Sequence, residues 1–346
     1  MNYFDGLSQS FIIAEIGVNH NGNIDLAFEL IDEAKKCGAD AVKFQTFKAI
    51  NLVSSGTPKV SYQTKTTNPH ESHFQMIKKL ELSFEDHHKL RNYCVDKEIE
   101  FISTPYDVES AKFLLEDLKI NFLKTAAADL VDYILHDYIA KSGTNTIISV
   151  GMSDLEEIRK CLAIYESHSN TNVVILHCVS NYPCSANSLN LRVFETLKET
   201  FKLPVGFSDH SSSNHAAIIS LGLGACIVEK HFTLDRNLDG PDHRASITPS
   251  EFKLLVDDIR LAETMLGSSV KSCQPEEMAM RQISRKSLFT KRELKKGEVL
   301  QMTDLQCLRP GGGICPMNVP GILGSTIIKD LKASKLLSWS DFEIKN

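Results

Sequence analysis

His210 closes the run Leu-Pro-Val-Gly-Phe-Ser-Asp-His, and His231 closes the run Ala-Cys-Ile-Val-Glu-Lys-His. If both runs are β-strands of one parallel sheet, both imidazoles leave the same edge, which is where α/β proteins bind their ligands. Two imidazoles converging there predict a metal held by nitrogen, with positions left open for substrate oxygen. A single strand-end histidine would more simply satisfy a backbone group. The pair, with Ser208, Asp209, Glu229 and Lys230 beside it, argues for a site.

The elements that must position these residues are legible as short runs of Val, Ile, Phe and Ala between helical patterns. Eight are expected: Phe11–Ile16, Ala41–Gln45, Glu100–Ser103, Phe122–Thr125, Thr146–Val150, Val173–Cys178, Val205–Ser208 and Cys226–Lys230. Between them lie helical periods. Over Leu26–Cys37, the residues Leu26, Ala27, Leu30, Ile31 and Ala34 make one face, and Gly38 ends it. Asp107–Leu118, Leu155–Tyr165 and Ser250–Leu266 read the same way. Alternating strand and helix implies parallel strands with right-handed crossovers. Eight such units in about 250 residues predict a (β/α)8 barrel over residues 1–267. An open doubly wound sheet is the runner-up, but Glu15-Ile-Gly-Val-Asn-His-Asn-Gly22 lacks the glycine spacing of a dinucleotide turn. The one long connection, Phe47–Leu80, is polar and reads as a lid or an irregular excursion, in which Tyr62 and Gln63 are candidate ligand contacts.

In a barrel the C-terminal strand ends form the active site. Taken in order they supply Glu15, Asn19 and His20; Lys43 and Gln45; Ser103 and Thr104; Lys124; Ser149; His177, Ser180, Asn181 and Tyr182; Ser208 and His210; Glu229 and His231; and then Gly240-Pro-Asp-His243. Two lysines with hydroxyls between them are suited to a phosphate and a carboxylate. A Schiff-base aldolase also places a lysine on a barrel strand, which keeps a second role open for Lys124. Glu15, Glu229 and Asp242 are candidates for proton handling or hydroxyl recognition. Metal, anion site and polyol site together point to carbon–carbon bond formation between an anionic enol donor and a sugar aldehyde.

Bulk properties narrow the class. The chain of 346 residues has a net charge of -6, which argues against a nucleic-acid partner and against a polybasic membrane anchor. No apolar run approaches a bilayer span and no signal peptide is evident, so neither a membrane nor an export role is expected. Nine scattered cysteines without a C-x-x-C pair read as free thiols of a reducing cytoplasm. The barrel pattern stops near Gly267. Residues 268–285 read as a polar linker, and 286–346 as a small separate unit containing a weak repeat. Its copies are Leu294-Lys-Lys-Gly-Glu-Val-Leu-Gln-Met-Thr-Asp-Leu305 and Leu331-Lys-Ala-Ser-Lys-Leu-Leu-Ser-Trp-Ser-Asp-Phe342, and the turn Arg309-Pro-Gly-Gly-Gly313 lies between them.

These motifs carry a family resemblance. Phe11-Ile-Ile-Ala-Glu-Ile-Gly-Val-Asn-His-Asn-Gly22, Gly38-Ala-Asp-Ala-Val-Lys-Phe-Gln-Thr46, Phe101-Ile-Ser-Thr-Pro105, Ser208-Asp-His210, Glu229-Lys-His-Phe232 and Gly240-Pro-Asp-His243 resemble, in order, those of the sialic acid synthase family. The tail resembles its C-terminal antifreeze-like (SAF) domain. The resemblance implies condensation of phosphoenolpyruvate with an N-acyl mannosamine-type sugar and water, giving a nine-carbon 2-keto acid and phosphate. It implies Mn2+ or Mg2+ on His210 and His231, and phosphoenolpyruvate on Lys43, Thr104, Lys124, Ser149 and Ser208. Glu15, Gln45, Tyr182, Glu229 and Asp242 would face the sugar or the transferred protons. Arg309 would reach the sugar's N-acyl group from the other subunit of a domain-swapped homodimer.

The resemblance makes Lys124 a cation rather than a Schiff base. A lysine-dependent aldolase or lyase and a non-catalytic SAF-domain binding protein are the alternatives. One departure stands out: Lys124-Thr-Ala-Ala-Ala-Asp129 has Ala127 where the family carries a donor-binding serine. Pro58–Thr67 resembles members that make legionaminate, and Gly240-Pro-Asp-His243 suits both the N-acetylneuraminate and the legionaminate branch, so both are expected products.

Overall fold

The computed structural model describes residues 3–343 apart from 8, 55, 60–63, 65–66 and 69. Tyr62 and Gln63, named above as ligand contacts, lie outside the described residues. The chain divides into two compact units, Met1–Gly267 and Ser268–Asn346.

In the first unit eight parallel strands close on themselves in sequence order. They are β1 Phe11–Gly17, β2 Ala41–Thr46, β3 Glu100–Pro105, β4 Phe122–Thr125, β5 Asn145–Ser149, β6 Val173–Cys178, β7 Val205–Asp209 and β8 Ile227–His231. Pairing of Glu15 with both Lys43 of β2 and His231 of β8 completes the ring, so the open-sheet alternative is excluded. The expected strands are all present, with ends moved by a residue or two, the ordinary uncertainty of an element boundary.

Strand parity organises this unit. Ile13, Ala41, Ile102, Phe122, Ile147, Val174, Leu176 and Ile227 form one cluster with Phe4, inside the barrel and toward its N-terminal end. Neighbours of opposite parity, among them Ile12, Ala14, Val42, Phe44, Leu123, Ile148, Ile175, Phe207 and Val228, pack outward against the helices. Because side chains alternate along a strand, each inward apolar residue is followed two positions later by another inward residue. Those successors are Glu15, Lys43, Thr104, Lys124, Ser149, Cys178 and Glu229. At Gly206 the inward parity is left without a side chain. A Cβ there would come within 2.6 Å of Leu176 Cδ2 and 2.8 Å of the Ile227 carbonyl oxygen, so β6, β7 and β8 close together only over a glycine.

The helices follow the apolar periods. Helix Ile24–Lys36 starts at Asn23, whose side chain accepts from the backbone of Asp25 and Leu26, and buries Ala27, Leu30, Ile31 and Ala34. Gly38, at φ +89°, carries the chain out of it. Asp107–Leu118 is helical but ends in a π turn over Phe113–Asp117. The long connection after β2 is partly ordered. It contains the short helices Ala49–Leu52 and His73–Lys79, the second begun by a Ser72–Gln75 capping box. Lys59 Nζ ties its two arms, donating to Thr67 Oγ1, the Asn68 carbonyl and Glu71 Oε1.

In the second unit the segment expected as a linker carries a short exposed helix, Met278–Ser284. The internal repeat is structural. Leu294 and Leu331 exchange backbone hydrogen bonds in both directions, at 2.9 and 2.8 Å. Leu300 and Leu337 share one core with them. Asp304 and Asp341 are both buried, and each caps the backbone three residues back, at Gln301 and Ser338. Equal offsets in sequence therefore encode two copies of one turn that pair with each other. Among the described residues, no helix is long and apolar enough to cross a membrane.

Candidate active site

The inward polar successors converge on one cavity of about 220 Å³ at the C-terminal end of the barrel. Its lining includes twelve of the thirteen site residues expected from sequence: Glu15, Lys43, Gln45, Thr104, Lys124, Ser149, Tyr182, Ser208, His210, Glu229, His231 and Asp242. The thirteenth, Arg309, belongs to the second unit and is exposed just after strand Leu305–Leu308.

Two buried lysines and two buried glutamates form the floor. Lys43 Nζ lies 2.7 Å from Glu15 Oε2 and 3.8 Å from Glu229 Oε1. Lys124 Nζ lies 3.7 Å from the same Glu229 oxygen. Lys43 also donates to Thr104 Oγ1 at 3.2 Å, and Lys124 to Ser149 Oγ at 2.6 Å. Ser208 donates to Glu229 Oε1 at 2.9 Å, and Gln45 to Glu15 Oε1 at 3.2 Å. Glu229 lines the cavity, and its Oε2 is a buried acceptor with no hydrogen-bond partner.

Electrostatics divides the four charges. Burial works against ionised Glu229, but Lys124 and Lys43 outweigh it and hold the carboxyl below its ordinary range. Burial raises Glu15; Lys43 only partly opposes this, and the Glu229 charge adds to the rise, so Glu15 keeps a proton more readily. Lys43 loses to burial but gains more from Glu15 and Glu229, and its ammonium is stabilised. Lys124 is depressed by burial, a loss that Glu229 offsets in part and Lys43 deepens.

The two histidines stand beside this floor with ring centroids 5.5 Å apart, and Tyr182 packs 4.1 Å from His210 and 5.3 Å from His231. His210 Nδ1 is 2.8 Å from the Val179 carbonyl. A carbonyl only accepts, so Nδ1 carries the proton and Nε2 keeps its lone pair. Burial pushes His210 down to about 4, and burial with His210 and Lys43 nearby pushes His231 well down, so both rings are neutral near pH 7. His231 Nδ1 is buried without a partner. His210 Nε2 contacts Ser208 Oγ at 3.4 Å, but that hydroxyl donates to Glu229 Oε1 at 2.9 Å, so the Nε2 lone pair is only weakly engaged; neutral imidazoles with such lone pairs are the form that ligates a divalent cation. Among the described residues no cluster of three or more His, Cys, Asp and Glu side chains is arranged to hold a metal. The pair would thus leave the remaining coordination positions to water or substrate oxygen.

Several residues in the strand-end inventory serve the frame instead. Asp209 and Lys230 have outward parity. They pair with each other at 2.7 Å, and Lys230 also donates to the Ser211 carbonyl, fixing the chain just after His210. Asn19 donates to the Phe232 carbonyl and to Ser246 Oγ, tying the β1 and β8 exits together. His243 bonds Thr233 Oγ1 at 2.7 Å and so braces the loop that carries Asp242. His20 is fully buried and outside the cavity lining, and His177 is bound to the Leu189 carbonyl at 2.7 Å. Ser103 bonds Thr46 at 2.7 Å behind the sheet.

Sequence reasoning missed Cys178, although it follows inward Leu176 by two. It also missed an apolar part of the lining: Val18, Phe47, Leu52, Ile77, Leu80 and Tyr106. Phe47 and Tyr106 continue the inward parity of Lys43–Gln45 and Ile102–Thr104 and were open to a parity argument, whereas Val18 has the outward parity of Ile16 and reaches the cavity only past the irregularity at Gly17. Leu52, Ile77 and Leu80 had no local signal, because only the folding of the long connection brings them to the cavity. Ala126 and Ala127 do line it, so the departure from the family pattern falls at the site itself.

A model of the NeuB family matches residues 30–271, and a model of the SAF domain matches residues 285–343. The chain is 43% identical over 337 residues to the N,N'-diacetyllegionaminic acid synthase of Legionella pneumophila, covering 96% of this chain and 94% of that protein. It is 40% identical over 333 residues to the protein of the same name from Campylobacter jejuni, covering 96% and 99%. Among solved structures, the N-acetylneuraminic acid (sialic acid) synthetase of Leptospira borgpetersenii, in complex with citrate, matches with a TM-score of 0.71 at 31% identity. That match spans 79% of this chain and 90% of that one.

Proposed function

The chain belongs to the NeuB family and is a nonulosonic acid synthase, and we propose that it condenses phosphoenolpyruvate with an N-acyl mannosamine-type sugar and water. The products are phosphate and a nine-carbon 2-keto acid of the N-acetylneuraminate or legionaminate type. The observation that carries this reading is the meeting, in one cavity, of two lysines and two neutral histidines.

Lys43 and Lys124, with Thr104, Ser149 and Ser208, would hold the donor's phosphate and carboxylate. Cations buried next to hydroxyl donors bind such groups more strongly than they would in water. Ala127 offers no hydroxyl to the donor, and only backbone N–H groups of that turn are left to help. His210 and His231 would hold a divalent cation, Mn2+ or Mg2+, which when bound polarises the sugar aldehyde. Carbon C3 of the enol attacks the aldehyde carbon, and the new C–C bond leaves an oxyanion that takes up a proton. Glu15, the carboxyl inclined to keep its proton, is suited to supply it. Water adds at C2, and the C2–O bond to phosphate breaks. Glu229, held ionised, is suited to accept the proton of that water. Gln45, Tyr182 and Asp242 line the cavity where sugar hydroxyls would be bound.

One feature favours a second reading. Burial lowers Lys124, the direction of shift that a Schiff-base lyase exploits. Borohydride trapping with pyruvate would mark Lys124 covalently in that case, and no adduct is expected for a synthase. The direct test of the synthase is phosphate release from phosphoenolpyruvate with a panel of N-acyl amino sugars, with and without chelator. His210→Ala and His231→Ala should each lower turnover by orders of magnitude while the fold is retained. Full activity in either variant, or in excess chelator, would remove the metal from the reaction.

A further inference from the structure

Asp209 and Lys230 are register partners on β7 and β8, and the next residue of each chain segment is a cavity histidine, His210 or His231. Alternation turns the histidines inward and this pair outward. Two positions earlier the same outward face carries Phe207 and Val228, which pack against helices. The ion pair is buried in that layer, at 1% and 3% exposure. A buried ion pair is seldom more stabilising than carbon of the same volume, so packing alone does not account for it. Its hydrogen bonds do. The Lys230 ammonium has three protons and three acceptors: Asp209 Oδ2 at 2.7 Å, the Ser211 carbonyl at 2.7 Å and the Ser213 carbonyl at 3.3 Å. Asp209 Oδ1 accepts from the Ser211 backbone N–H at 2.8 Å. All of these bonds end on the chain that flanks His210. From the other side, the His210 carbonyl accepts from the Cys184 N–H at 2.9 Å, and His210 Nδ1 donates to the Val179 carbonyl at 2.8 Å.

We propose that Lys230, held by Asp209, is a positioning residue for the histidine pair: it fixes the spacing of the His210 and His231 imidazoles and thereby the affinity of the pair for a divalent cation. The inference rests on the metal reading of that pair given above and deepens it. Two imidazoles from different strands share one ion only if their nitrogens converge. Among the described residues no third His, Cys, Asp or Glu is arranged to share the ion, so no further protein ligand compensates for a misplaced ring. His231 directly follows Lys230, and Lys230 grips the chain on both sides of His210. One side chain therefore ties the two ligands together from outside the cavity, whose lining includes neither Asp209 nor Lys230. The donor floor is held separately, by the contacts of Lys43 and Lys124 with Glu15, Glu229, Thr104 and Ser149. Loss of the Lys230 anchor should thus fall on the cation and spare phosphoenolpyruvate.

The test titrates the full chain with Mn2+, without substrate, and counts free ion by its electron paramagnetic resonance signal. The parent should bind the ion, and His231→Ala should not. Lys230→Met combined with Asp209→Asn removes both charges, leaves no lone charge buried, and keeps an acceptor for the Ser211 N–H. This double variant should bind Mn2+ about 10- to 100-fold more weakly, the usual effect of removing an outer partner of a metal ligand. Its phosphoenolpyruvate affinity, measured by calorimetry in chelator, should stay at the parent value, whereas a merely structural role would move both. Asp209→Asn alone keeps the ammonium and its carbonyl contacts, should lie between parent and double variant, and decides the matter if the double variant does not fold. Unchanged Mn2+ affinity, or Mn2+ and phosphoenolpyruvate affinities lost in step, overturns the inference and keeps the metal site. A parent that binds no Mn2+, or binds it equally after His231→Ala, rejects the metal reading and the positioning role with it. A parent that binds no phosphoenolpyruvate rejects the donor site, and the positioning role then stands or falls on Mn2+ alone.

Discussion

Lys43 and Lys124 occupy equivalent inward positions on β2 and β4, yet their surroundings differ. Lys43 has Glu15 at 2.7 Å as well as Glu229 at 3.8 Å, while the side-chain partners of Lys124 are Glu229 at 3.7 Å and the Ser149 hydroxyl. Lys124 is therefore the cation less committed within the protein and more available to an anionic donor. Lys124→Met should raise the KM for phosphoenolpyruvate by one to two orders of magnitude with a smaller effect on the sugar's KM. Lys43→Met should additionally strand Glu15 and Glu229 and lower kcat. Steady-state kinetics with each substrate varied will show whether the effects divide this way, and equal losses on both substrates would contradict it. Ala127→Ser, which restores a hydroxyl at the cavity wall, should hold or tighten donor binding; a marked loss would mean that this turn meets the donor differently.

Between elements, the helix pair Tyr133–Ser142 and Leu155–Ser167 packs around an internal hydrogen bond rather than carbon alone. His136 Nε2 donates to the Asp129 carbonyl at 3.1 Å, and Nδ1 accepts from the Tyr165 hydroxyl at 2.9 Å. That arrangement needs a neutral ring, and burial lowers His136 from 6.5 to about 4. The folded state thus binds the proton less readily than the unfolded chain. Its contribution is complete above pH 6.5 and lost as the pH falls toward 4. The loss is on the order of 3 kcal/mol, because each tenfold weakening of proton binding costs about 1.4 kcal/mol. Urea midpoints measured from pH 7 to pH 4 should fall, and His136→Gln should fall less steeply over the same range. Parallel curves would show that other groups carry the dependence. The same region shows what local sequence conveys. The period of Leu155–Tyr165 identified the helix, but nothing in it told that Tyr165 would meet a histidine from the preceding helix.

At the scale of the whole molecule, the repeat built around Leu294 and Leu331 gives the second unit a core of its own, and Arg309 is exposed between the two copies. A small unit with an exposed arginine makes chemical sense if it completes a cavity whose lining, among the described residues, contains no arginine. A guanidinium would supply a rigid fork of donors to an N-acyl oxygen. If it acts across a two-fold dimer, Arg309→Ala and His231→Ala, each inactive alone, should regain activity when mixed under subunit exchange. Random assortment would restore roughly a quarter of the parent rate, since half the dimers are mixed and each has one intact site. Verified mixed dimers without recovery would place Arg309 in its own subunit's cavity or outside catalysis.

What the sequence determined by itself is whatever follows from spacing along one strand or helix. Alternation made Glu15 follow Ile13, Lys124 follow Phe122, and His231 follow Glu229 on one face, because successive side chains on a strand point opposite ways. The count of strand and helix units implied closure, and the equal offsets around Leu294 and Leu331 implied two like turns. Three things were decided only in three dimensions. Register and ring closure set Glu15 between Lys43 and His231, since hydrogen-bonded pairing depends on residues far apart in the chain. Burial and neighbouring charge left Glu229 ionised and both histidines neutral, because desolvation belongs to a place and not to a residue type. The long polar connection after β2 had no periodic pattern to read. Its return to the barrel mouth, bringing Leu52, Ile77 and Leu80 beside Phe47, came from burying those few apolar side chains against residues they meet only in the folded chain.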